Sequence, residues 1–66
     1  MRFTNFKLQR LQRGLLQVEL AQRARIERTR LSLIENGHVV PRPEELAALA
    51  RALNVSVDAL REAAAA

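Results

Sequence analysis

The stretch GLLQVELAQRARIERTRLSLIENG, residues 14–37, decides how this chain is read. It holds two short helical patterns with a brief break between them. Residues 17–24, QVELAQRA, put Val18, Leu20, Ala21 and Ala24 on one apolar side. Residues 27–36, ERTRLSLIEN, put Leu31 and Ile34 three apart, where they face inward together. Gly37 follows at the place where a left-handed residue closes a helix. Ala21 is small where two helices must cross closely, and Ile26 plugs the corner between them. This pattern predicts a helix-turn-helix over about 17–36. The second helix then turns its other side outward. Arg28, Thr29, Ser32 and Leu33, with Arg30 flanking, form a set suited to the major groove of DNA.

The flanking sequence supplies three more helices. Residues 5–13, NFKLQRLQR, start from Thr4 or Asn5 as the N-cap and stop before Gly14, with Leu8 and Leu11 expected in the core or an interface. A loop over 37–42 carries Pro41. Pro43 then suits the first position of a fourth helix, where its missing N–H costs nothing. Glu44 and Glu45 follow in the first turn, where the helix dipole favours them. Leu46, Leu49, Ala50 and Leu53 give that helix its apolar stripe, and Asn54 ends it. Ser56 caps a fifth helix from about Val57 to Glu62, and the Ala63–Ala66 tail extends it or frays. No alternating stretch is bounded by hairpin residues. The expectation is an all-α, five-helix single domain over residues 1–66.

Composition narrows the function. The chain has 66 residues and no cysteine, so disulfides and thiolate metal sites are unavailable. His38 has no plausible ligand partners near it in sequence. One histidine and no cysteine leave no Ser-His-Asp or Cys-His set, and no Gly-rich phosphate loop or metal-ligand spacing is present. An enzyme, a cofactor and a bound metal are therefore not expected. Two phenylalanines are too few to stack single-stranded bases. Apolar runs fall far short of the ~20 residues of a membrane span, and no signal-peptide pattern appears, so a soluble cytoplasmic protein is expected. The net charge is +4 and the pI about 11.4. Residues 1–42 hold nine basic against three acidic residues, a net of +6, whereas residues 43–66 carry −2. That division suggests one side facing a polyanion and another facing away. Ten of the eleven basic residues are arginine, whose planar fork matches phosphate and guanine edges, although a high-GC genome gives the same bias.

Gln17, Leu20-Ala21 and Ile34-Glu35-Asn36-Gly37 together resemble the Cro/CI-type, lambda-repressor-like helix-turn-helix of the XRE family. The downstream LARALNVSVDAL resembles that family's last helix pair, so the likeness covers nearly the whole chain. The resemblance implies that Gln17 bonds a DNA phosphate, and that Arg28, Thr29 and Leu33 read base edges. On that resemblance Arg28 would fork onto guanine, and Thr29 and Leu33 would touch thymine methyls. It implies phosphate contacts from Asn36 and the backbone of 38–40. Arg30 and His38 are candidates for the same task, His38 otherwise being a plain loop residue. It also implies an ion pair between Arg10 and Glu35, and a homodimer contact through Asn54, Val55, Val57 and Leu60 or Leu53. The function implied is a regulator, as a rule a repressor, that binds a near-palindromic double-stranded operator as a dimer. An autoregulating antitoxin and a restriction–modification controller share the domain. A protein-binding module is the reading from another class. RNA polymerase and a toxin are conceivable partners.

Several positions depart from the family pattern. Arg25 stands where glycine is usual, and a positive φ there costs roughly 1 kcal/mol, which a reshaped turn would avoid. Glu27 replaces a capping Ser or Thr and brings a negative charge near DNA unless it accepts from a cytosine amino group. Ser32 shares that exposed face. Leu16 replaces a capping residue before Gln17. In the first helix Leu8 and Leu11 are apolar, and Gln9 takes the family's hydrophobic position.

Overall fold

A computed structural model of the protein describes residues 5–61. Its helices are α1 Asn5–Gln12, α2 Gln17–Ala24, α3 Arg28–Glu35, α4 Pro43–Leu53 and α5 Val57–Arg61. Thr4, Glu62 and the alanine tail lie outside the described residues. Among the described residues no helix exceeds the 11 residues of α4, a length at which isolated helices are marginal; each is helical because the others bury its apolar side. α2 packs on α3 and α4, α5 lies on α4, and α1 closes the bundle against α3, α4 and α5. Leu20, Leu31, Ile34, Leu49, Leu53 and Leu60 build the centre and are almost wholly withdrawn from solvent. Ile26 is buried at the corner between α2 and α3, as its position in the sequence requires.

The first four helices end in the same way. A residue with positive φ follows each: Gly14, Arg25, Gly37 and Asn54. The next N–H then reaches back over the last turn. Leu15 donates to the Arg10 carbonyl at 3.2 Å, Ile26 to Ala21 at 3.0 Å, His38 to Leu33 at 2.9 Å and Val55 to Ala50 at 3.0 Å. These are Schellman closures, which satisfy helix-end carbonyls and turn the chain sharply. Glycine and asparagine tolerate the conformation; arginine does not do so freely. At Arg25 the turn is not reshaped: φ is 56° and ψ 44°, and the strain is retained.

α1 departs from the expectation that Leu8 and Leu11 fill the core. Its inward side is Asn5, Phe6 and Arg10, while Leu8 and Leu11 are 37% and 50% exposed. Phe6 and Arg10 lie four apart on one helical face, so Leu8 and Leu11 fall on another. Asn5 is the first residue of α1, not its cap; its side-chain amide donates to the Ala59 carbonyl and ties α1 to α5.

Among the described residues, two ion pairs tie α3 to its neighbours. Arg10 Nε donates to Glu35 Oε2 at 2.8 Å and Nη2 to Oε1 at 3.1 Å, with both residues buried. Nη1 of Arg10 donates to the Leu15 carbonyl at 2.9 Å, closing the α1–α2 turn. The Gln17 amide donates to Glu35 Oε1 at 3.2 Å. The second pair joins Arg30 of α3 to Glu45 of α4, with Nη2 donating to Oε1 at 2.8 Å and Nε to Oε2. The Arg30 hydrogen bonds lower the Glu45 pKa to about 2 against the opposing effect of burial, helped by the Arg42 backbone N–H at 2.8 Å.

Removing either partner of the Arg10–Glu35 pair strands a buried charge, at a cost of about 3–5 kcal/mol. A domain this size holds only about 0.05–0.15 kcal/mol per residue, so Arg10→Ala should shift its urea midpoint, followed by circular dichroism, to near zero. Arg25→Gly relieves the left-handed strain and should stabilise the fold by about 0.5–1 kcal/mol, raising Tm by several degrees in calorimetry. The Glu45 contribution is fully present above its unfolded pKa of 4.5 and is lost as pH falls toward about 2. Glu45→Gln should therefore be less stable at neutral pH and show a flatter decline in stability across that acid window.

Candidate nucleic-acid interface

With Leu31, Ile34 and Glu35 turned inward, α3 offers a defined outer side. Arg28 and Thr29 are exposed in its first turn, Ser32 is half-buried and Leu33 is 39% exposed. The Arg28 and Thr29 side chains have no hydrogen-bond or ionic partner among the described residues. Glu27, exposed at the N-cap, makes no side-chain capping bond, so no side chain from the cap position satisfies the first N–H groups of α3. Gln17, the first residue of α2, lies beside this turn. Gln17, Arg28, Thr29 and Ser32 line one open groove. Gln17, expected at phosphate, thus shares a single surface with Arg28, Thr29 and Ser32, expected at bases.

The start of α2 is also free of a side-chain acceptor at its cap, since Leu16 has none. Only the glutamate half of a capping box is present: Glu19 Oε1 accepts the Leu16 N–H at 2.8 Å. Sequence reading missed this role of Glu19, although a glutamate three residues after the cap is its signal. The Gln17 amide has two hydrogens, and the bond to Glu35 uses one. It fixes the side chain at the mouth of the groove.

Other candidates fall outside this cluster. Asn36 is exposed beyond the last turn of α3 and donates to Ser32 Oγ at 3.3 Å. His38 is exposed in the following loop. Arg30 does not line the groove; its guanidinium turns to Glu45, so the charge expected for phosphate is already paired within the domain. No local signal marks Glu45 as its partner, because 15 residues separate them. Of the expected dimer residues, Asn54 is exposed at the left-handed end of α4, and Val55 and Val57 are half-buried against the core. Leu60 and Leu53 are 0% exposed. They fill the core beneath α4 and α5 and have no surface to offer a second chain, which corrects the expectation for Leu60.

Among the described residues, no helix is long and apolar enough to cross a membrane. No curated protein and no solved structure matches the chain. The helix-turn-helix family profile matches residues 6–60, all but the outermost residue at each end of the five-helix array. On that match and this architecture, the chain belongs to the XRE, or Cro/CI-like, family of helix-turn-helix DNA-binding regulators.

Proposed function

We propose that this protein is a sequence-specific repressor that binds a near-palindromic double-stranded operator as a homodimer, with α3 in the major groove. The observation that carries the reading is the pair of unpartnered side chains, Arg28 and Thr29, on the outer side of α3 beside Gln17. Arg28 would fork onto guanine O6 and N7, Thr29 and Leu33 would meet thymine methyls, and Ser32 and Glu27 would complete the base-reading row, Glu27 by accepting from a cytosine amino group. Gln17, Asn36 and His38 would hold phosphates, assisted by the open N-terminal N–H groups of α2. Arg30, already paired with Glu45, is left out of the phosphate contacts.

The longest dimension of the domain is 27 Å. Half-sites of such operators lie about 34 Å apart, so one copy reads one half-site and two copies are needed. Asn54, Val55 and Val57 are the residues for the dimer contact, with Leu60 supporting them from inside. Residues 43–66, net −2, then stay clear of phosphate. Repression follows from occupying promoter DNA. Antitoxin and controller proteins would use the same contacts on their own operators.

Selection of bound duplexes from a random pool should return a palindromic consensus with two half-sites. Arg28→Ala should relax preference at one base pair per half-site, at about 1–3 kcal/mol, whereas Gln17→Ala should weaken all sequences alike. Affinity should fall steeply with salt. No enrichment together with a flat salt dependence would overturn the reading in favour of a protein-binding module.

A further inference from the structure

Where α2 ends beside α4, a second open groove is lined by Arg23, Ala24, Arg25, Ala48, Arg51 and Ala52. It contains no residue of α3 and no acidic residue. Arg23, Arg25 and Arg51 are exposed, and their guanidinium groups have no partner among the described residues. The adjoining groove shares Ala24, Arg25 and Ala48 but is balanced, with Arg25, Arg30 and Arg42 set against Glu27, Glu44 and Glu45. Of these two adjoining grooves, only the first lacks an acidic residue.

Arg25 adds an independent observation. It holds the left-handed conformation at φ 56°, where an arginine is strained, and its side chain makes no contact within the domain that offsets the strain. Glycine closes the α1 and α3 turns without that cost.

We propose that this groove docks an acidic, amphipathic peptide segment of a partner protein. Its carboxylates would meet the guanidinium forks of Arg23, Arg25 and Arg51, and its apolar side chains would lie over the half-buried Ala48 and Ala52. Guanidinium and carboxylate match bidentately, and the half-buried Ala48 and Ala52 offer a floor for a peptide's apolar side chains, which together favour this occupant. Gln17 opens α2 and Arg23 and Arg25 close it, so about 12 Å of helix separates this groove from the one proposed for DNA. Partner and operator are thus bound together. The proposal stands apart from the operator reading, because neither groove shares a residue with the other.

The test is a titration of the isotopically labelled full chain with a synthetic helical peptide bearing Glu on one face and Leu on the other, read by amide chemical shifts. Controls are the same peptide with Lys for Glu and a Glu-only peptide. Shifts should concentrate at residues 22–25 and 48–52 and leave Gln17 and 28–33 in place, with the acidic amphipathic peptide binding tightest. The triple variant R23Q/R25G/R51Q should weaken that peptide by about tenfold or more, a loss of about 1.4 kcal/mol, while keeping a cooperative urea transition and its affinity for duplex DNA. Absence of shifts at millimolar peptide, equal binding of the controls, or an unaffected triple variant would overturn the proposal. So would a random-sequence duplex that shifts residues 22–25 and 48–52 in preference to α3, which would assign the groove to nucleic acid.

Discussion

The carboxylate of Glu35 is the point on which this domain turns. It sits in the interior at the end of α3, accepts two bonds from Arg10 of α1 and one from Gln17 of α2, and so joins three helices through one group. A charge withdrawn from water is tolerable only when its lone pairs are met, and here no buried side-chain polar atom among the described residues lacks a partner. The same network sets the direction of α3, the level at which Gln17 emerges, and, through Arg10 and the Leu15 carbonyl, the turn between α1 and α2. The geometry of the outer surface is thus inherited from a buried one.

Rigidity in so small a chain comes from its corners as well as its core. Short helices supply little apolar area each, and a flexible connection would let them drift. Four left-handed closures, each with a reaching N–H behind it, remove that freedom. Leu15, Ile26 and Val55, the residues just past three of these closures, pack into or onto the core, so each corner is held by an apolar contact as well as by hydrogen bonds. The Arg30–Glu45 pair is a further brace between α3 and α4, and it draws a charge away from the surface that α3 presents. An arginine on a surface helix is therefore not automatically free for a ligand; its neighbours across the fold decide.

Much of this was legible beforehand. Gly14, Gly37, Pro43 and Asn54 mark helix boundaries because their backbone preferences are local, and Leu20, Leu31, Ile34, Leu46, Leu49 and Leu53 mark the core because helical period alone places them on one side. The outer side of α3 follows from the inner side by subtraction. α1 was harder to read: its two leucines carry the apolar signal, yet the buried face belongs to Phe6 and Arg10. A buried arginine has no hydropathic signature, and only its partner on another helix accounts for its place.

The sequence by itself determined the helical class, the order and ends of the helices, the motif at α2 and α3 and the charge division along the chain, since each rests on preferences acting within a few residues. The tertiary structure alone decided which charges are spent inside the fold and which remain for a partner. Arg30 meets Glu45, Gln17 meets Glu35 and Leu60 enters the core, while Arg28 stays free and Arg23, Arg25 and Arg51 gather at one groove. These outcomes depend on distances between residues remote along the chain, set only when all five helices are packed at once.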